Sequence, residues 1–395
     1  MRTITHATEK RYVASLFFLF GFGGMAWIPR FPEVKSNLGL SNGQFGTLIS
    51  AGAIGTVIGM LTVGHIVHKY GSQKILILSA ALLFSNLALI VRTHSSFIFL
   101  ISNTLIGLGF AGFHISLHGQ AFLSQEKFGR STIPLFHGMW TTGSLVTAIL
   151  SGILVDRVPL VVHIDSVAWV SFLAIVYIIW RINPVALEGK SQEDDGYSFK
   201  TIFTSIKVDW LVSTGLIFAI FLEFVVIDWA AIFTKEELHM SAGLSVLPYV
   251  LFSTGMISGR LNFDRIAALF PLQKLVVGFS LFGGFSFLLF VGIASYFTNN
   301  HRTAAFWVAC LGFLLAGVGS SFLGPTFVNA GNRRSSAPSG VVVGQLGLIS
   351  NLMAFILKTI FAWIAQIFGL TIALVIPAVM LICVFKFSKA VVLAK

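Results

Sequence analysis

Twelve apolar runs follow one another along this chain, at roughly 13–29, 44–67, 75–92, 97–122, 133–155, 164–181, 208–232, 243–262, 274–296, 303–327, 339–362 and 369–387. A hydrocarbon core about 30 Å thick is crossed by about 20 residues of helix. Each run therefore reads as one transmembrane helix. Composition agrees: 56% of residues are apolar and 10% charged, against about 25% charged in soluble chains. So apolar a chain cannot hide its surface from water. Disorder, a collagen repeat and a disulfide scaffold are excluded by the same numbers. A β-barrel would show short alternating segments in place of long apolar runs. The expectation is an all-α membrane protein of twelve transmembrane helices.

The first run follows Lys10 and Arg11 and has the outline of a signal peptide. It lacks a small-residue cleavage site, so it reads as a retained first helix. The net charge of +11 reflects cytoplasmic loops and not a nucleic-acid partner, because Lys and Arg are retained inside. With both termini cytoplasmic, 19 Lys and Arg fall inside and 6 outside, and Lys358 stays within a span. On this reading Arg260 and Arg265 are inside cations, and Arg30 and Lys35 outside ones. Cys310 and Cys383 lie in apolar runs and imply no disulfide framework.

The longest polar stretch carries Glu188, Lys190, Glu193, Asp194 and Asp195. It divides the chain into an N-terminal six-helix bundle (1–183), a cytoplasmic linker (184–207) and a C-terminal six-helix bundle (208–395). The halves read as a repeat. Gly107/Gly312, Ala111/Ala316, Gly112/Gly317, Ser116/Ser321 and Gly119/Gly324 coincide at an offset of 205 residues. In that register the counterparts of His114 and His118 are Gly319 and Leu323. Six-helix repeats around a midplane site are a transporter architecture.

Ionisable residues inside apolar runs mark pathways or proton relays, because each solitary charge at mid-helix costs about 2.5–3.5 kcal/mol. Glu223 and Asp228 lie in span seven. Five residues apart is about 140° around a helix, so the two face different ways. Glu223 is the deeper and is the coupling candidate; its alternative is a buried, permanently protonated acid. Lys358 is alone in span eleven, on one stripe with Gly347 and Asn351, or it snorkels to the outer interface. His114 and His118 share a face of span four. His137 opens span five at the depth of His118, where it would serve as an inner gate. A packing role for the three histidines is the alternative. The other histidines scatter over both sides, so no metal is expected. No nucleotide-binding motif stands in a strand–turn–helix context, so no cofactor is expected either.

The loop after span two reads Gly64-His-Ile-Val-His68-Lys69-Tyr-Gly71-Ser-Gln-Lys74, and the second half has Gly259-Arg-Leu-Asn-Phe-Asp264-Arg265. These stretches resemble the G-x-x-x-D-R-x-G-x-R/K-R/K signature of the major facilitator superfamily, with His68 and Lys69 at the Asp and Arg positions. Leu135-Phe-His-Gly138, Asp228-Trp229 and Gly319-Ser-Ser-Phe-Leu-Gly-Pro325 are similar to the fucose-permease-like branch of bacterial permeases. The resemblance implies a secondary transporter of the prokaryotic inner membrane, a monomer that moves a small, possibly sugar-like solute with protons by alternating access. The two bundles would rock about a site lined by spans one, four, seven and ten. It also makes spans seven and eleven neighbours, so an outer gate pair of Asp228 with Lys358 is expected. His114 stands where the branch carries an acid, so it is expected to face substrate. An exporter of amphiphiles, or a non-transporting sensor or assembly factor that kept the fold, is the rival reading.

Overall fold

The computed structural model describes residues 5–128, 133–182, 209–335 and 339–392, and every regular element among them is helical. The chain forms two compact units. The first comprises α1 (His6–Gly24), α2 (Phe31–Leu38), α4 (Gly52–Tyr70), α5 (Ser72–Ile90), α6 (Ser96–Phe128), α7 (Ile133–Leu154) and α8 (Leu160–Ile182). The second comprises α3 (Asn42–Ser50), α9 (Trp210–Glu236), α10 (Ala242–Ser245), α11 (Leu247–Ala267), α12 (Leu272–Phe297), α13 (Arg302–Ser320), α14 (Leu323–Arg334), α15 (Ser339–Phe368), α16 (Leu370–Ala373) and α17 (Val375–Cys383), then a 3₁₀ segment (Val384–Val391). The expected linker, 184–207, lies outside the described residues.

Eleven stretches among the described residues are long and apolar enough to cross a membrane. The expected run at 133–155 is α7, which is 22 residues long but not among the eleven. His137, Thr141, Thr142, Ser144 and Thr147 dilute its hydropathy. On α8, Trp169, Val170, Leu173 and Trp180 are exposed, a face suited to hydrocarbon and not to water.

Several expected straight spans are broken. Pro29 and Pro32 frame a 3₁₀ turn (Ile28–Arg30) between α1 and α2. The second run divides at Ala51, and its first part packs in the second unit. A Cβ on Gly43 there would meet the Trp363 ring at 2.8 Å, and one on Gly46 would overlap Ala362, so only glycines let α3 lie this close to α15. The tenth run breaks after Ser320, where Pro325 has no N–H for the carbonyl four residues back.

The repeat is present in the packing, but not in the expected register. A Cβ on Gly107 would overlap the Gly52 carbonyl, and one on Gly317 the Phe252 carbonyl. A Cβ on Gly55 would overlap the carbonyl of Thr104, and one on Gly255 that of Leu314. Gly109 abuts Ser79 and Leu83, while Gly319 abuts Phe279 and Gly283. Spans two and three thus map onto eight and nine with an offset of 200, whereas span four maps onto span ten with 210. The expected offset of 205 is corrected: the counterparts of His114 and His118 are Gly324 and Val328. The error arose because glycines recur along these helices, so a shifted register also aligns several of them.

Candidate functional site

Three of the acidic residues of the second unit lie on α9 or cap it, each with a cation acting on it from another helix. Asp209 caps its first turn by accepting from the Val212 amide at 3.2 Å, and its other oxygen pairs with Arg334 Nε at 2.6 Å. Asp228 lies farther along, buried, with Oδ2 2.5 Å from Nζ of Lys358 on α15. Lys358 therefore turns to a carboxylate and does not extend along its helix toward an interface. Trp229, the next residue and 1% exposed, packs on Phe361 and against Gly46. Asn351, one of the expected stripe, donates from Nδ2 to the Gly347 carbonyl at 2.8 Å.

Glu223 sits midway along α9 and is half-buried. The charge that acts on it comes from α11, from the Arg260 guanidinium, and Tyr249 of the same helix lies within the field of Glu223. Arg260, counted among the inside cations at the end of span eight, lies on α11 in the apolar stretch Ala242–Phe263. Its Nε donates to the Ser321 carbonyl at 2.8 Å. That carbonyl is the one Pro325 leaves without an intrahelical donor. Backbone groups within a membrane must find a partner, so the proline in α14 explains the arginine on α11. The spacing Ser321 to Pro325 was the available signal. The arrangement sets the Arg260 cation where its charge acts on the Glu223 carboxyl.

In the first unit three histidines meet. The ring centroids of His114 and His118 are 4.0 Å apart. Nε2 of His118 on α6 lies 3.0 Å from Nε2 of His137 on α7. Nδ1 of His118 lies 2.8 Å from the His114 carbonyl. A carbonyl only accepts, so His118 carries its proton on Nδ1 and its Nε2 is bare. His137 must then be the donor across the Nε2–Nε2 contact. Phe17 and Phe20 of α1 cover the rings at 5.1 Å from His118 and 6.4 Å from His114.

The loop motif is helical over most of its length. Gly64 lies within α4, and His68 and Lys69 are exposed in its last turn. Only Gly71, at φ 83°, leaves the helix, a backbone that glycine adopts without strain. Arg265 is exposed near the end of α11, and the Asp264 side chain lies outside the described residues. Arg30, expected in an outside loop, is instead 1% exposed. Its guanidinium donates to Glu33 at 2.7 Å, to the Val158 carbonyl at 3.0 Å and to His163 Nδ1 at 3.1 Å. The two prolines that turn the chain at 29 and 32 direct it inward. Among the described residues no group of three or more His, Cys, Asp or Glu side chains is placed to hold a metal ion.

Comparison with known proteins accords with this architecture. The sequence profile of the Major Facilitator Superfamily matches residues 13–358. An uncharacterized MFS-type transporter of Yersinia pestis is 26% identical over 379 residues, covering 95% of this chain and 94% of that one. Among solved structures, the nucleoside transporter NupG superposes with a TM-score of 0.72 at 11% identity, over 98% of this chain and 100% of that one. A D-xylose-proton symporter superposes with a TM-score of 0.69 at 16% identity, over 97% of each chain. At these identities the structural likeness concerns the fold.

Proposed function

The chain belongs to the Major Facilitator Superfamily and is a membrane transporter; on that premise we propose that it moves a small organic solute by alternating access, coupled to protons. The observation that carries this reading is Glu223, a carboxyl midway along α9 with the Arg260 charge acting on it. An intramembrane carboxyl is retained at a cost of about 2.5–3.5 kcal/mol and marks a proton or solute path.

In this reading Glu223 binds and releases the transported proton. His114, His118 and Asn351 line the path of solute or proton. Asp228 with Lys358 closes the outer end, and His137 gates the inner end. Gly64, His68, Lys69 and Gly71, with Asp264 and Arg265, form the paired motif segments that follow spans two and eight. The protein has twelve spans with α7 as the one beyond the eleven, both termini in the cytoplasm, and bundles 1–183 and 208–395 joined by 184–207. It acts as a monomer in the bacterial inner membrane, in the fucose-permease-like branch. A sugar-like solute is supported by the names of structural neighbours, which transport a nucleoside and D-xylose.

The test is a panel of sugars and nucleosides in proteoliposomes, recording proton uptake on solute addition. Glu223→Gln is expected to abolish gradient-driven accumulation while leaving solute counterflow. Full accumulation by that variant, or solute uptake without proton movement in the unaltered protein, refutes the coupling.

A further inference from the structure

The last span is tied to α12 at both of its ends. Ser295 and Thr371 share a hydrogen bond at 2.7 Å, and Gln273 Nε2 donates to the Ser388 hydroxyl at 3.4 Å. At the first of these ends Glu237, just past α9, accepts from the Leu370 amide at 2.8 Å. A carboxylate is costly within hydrocarbon, so Glu237 marks one boundary of the apolar layer. From Leu370 the chain rises about 1.5 Å per residue through α16 and α17, then about 2.0 Å per residue in the 3₁₀ segment Val384–Val391. Lys386 therefore lies about 26 Å and Lys389 about 32 Å from that boundary. The hydrocarbon layer is about 30 Å thick, so the two lysines straddle its far edge.

Packing fixes which way the 3₁₀ segment faces. The Phe387 ring sits on Phe218 of α9, with centroids 5.2 Å apart, and Ser388 is buried toward Gln273. Residues three apart eclipse one another in a 3₁₀ helix. Lys386 and Lys389 thus stand in one column on the remaining face, and both are exposed. Lys274, beside Gln273 on α12, is exposed as well. The turn that leads into α12 carries Leu269 and Phe270, 73% and 54% exposed, and Phe385 is 40% exposed. Among the described residues none of the three lysines pairs with a carboxylate. Two ammonium groups about 6 Å apart along one column repel each other. An anion between them removes that repulsion, and at the edge of hydrocarbon the anion at hand is lipid phosphate.

We propose that Lys386 and Lys389, with Lys274 beside them, hold the headgroup of an anionic phospholipid whose acyl chains lie on Leu269, Phe270 and Phe385. A zwitterionic headgroup brings its own cation and leaves the lysine charges uncompensated. A headgroup with a net negative charge does not, which sets the lipid class. The exposed apolar side chains beside the lysines favour a lipid over a free phosphate, because they have acyl chains to cover them. The bound lipid bridges the end of the last span and the start of α12, alongside the Gln273–Ser388 hydrogen bond. This site is independent of the solute, of the coupling ion and of which end of the protein faces the cytoplasm.

The test is native mass spectrometry of the purified protein, titrated with phosphatidylglycerol or phosphatidylcholine of the same acyl chains. Phosphatidylglycerol should bind the tighter, and Lys386→Gln and Lys389→Gln should each weaken it about fivefold, the contribution of one basic group near an anionic headgroup. Lys386→Arg keeps the charge and should keep the affinity, as should Lys10→Gln on α1. Equal binding of the two lipids, or undiminished phosphatidylglycerol binding in the double glutamine variant, overturns the site. Thermal unfolding in lipid-free detergent shows whether each variant is folded. A second measurement needs no variant: phosphatidylglycerol should slow acetylation of Lys386 and Lys389 in the unaltered protein, read by peptide mapping, and phosphatidylcholine should not. Absence of that protection refutes the proposal. Inorganic phosphate should give no such protection; if it protects as well as the lipid does, the lysines form a free-anion site and the lipid assignment falls.

Discussion

Lys358 shows what a single residue in hydrocarbon must do. A lysine can snorkel, deprotonate or find an anion, and here Nζ lies 2.5 Å from Asp228 with 19% of its side chain exposed. Removing one partner strands the other in low dielectric. Asp228→Asn and Lys358→Met should each destabilise by about 3–5 kcal/mol at full burial and less at this partial exposure. Chemical or thermal unfolding of both singles and the double should show most of the loss recovered in the double; additive losses would show that the pair contributes nothing as a pair. Arg260 obeys the same logic toward a carbonyl. Arg260→Gln should cost about 1.5–3 kcal/mol, near the low end because the side chain is exposed. In a Pro325→Ala background the backbone N–H returns to Ser321, so the cost of Arg260→Gln should shrink. An equal cost in both backgrounds would detach the arginine from the helix break.

The helix pairs are set by glycines. Gly55 and Gly255 lie against the carbonyls of Thr104 and Leu314, so a side chain there separates two backbones and not merely two rotamers. Gly55→Val and Gly255→Val should each lower stability by about 1–3 kcal/mol or more through overpacking. Gly64 and Gly292 have nothing within 4 Å of an added Cβ and lie within α4 and α12. Alanine at either should be neutral or stabilise by up to about 1 kcal/mol through helix propensity. Equal damage at the two sets, read by thermal unfolding in detergent, would show that close approach is not what these glycines serve.

At the scale of the whole molecule, spans two to four and spans eight to ten pack through corresponding glycine seams, while the proposed topology rests on the asymmetry of Lys and Arg. If both termini are cytoplasmic, the turn after α11 faces inside and the turn after α12 faces outside. In a background lacking Cys310 and Cys383, a cysteine at Asn300 should react with an impermeant maleimide in intact cells. One at Leu269 should react only after the membrane is opened. Labelling of Leu269→Cys from outside would invert the orientation.

The sequence alone determined that the chain is a helical membrane protein with deep ionisable residues at Glu223, Asp228, Lys358, His114 and His118. Apolar run length and the energetic cost of charge in lipid are local properties, readable one segment at a time. Neighbours are not local. That Arg260 answers the carbonyl left by Pro325, that Arg30 is buried, and that span four maps onto span ten at 210 and not 205 were decided by packing between helices distant in sequence. The polar stripe of His137, Trp140, Ser144 and Thr147 on α7 shows the same division. Its polar residues are visible as letters, but whether a serine bonds its own helix or turns to a neighbouring seam depends on which backbone lies beside it, and only the tertiary structure fixes that.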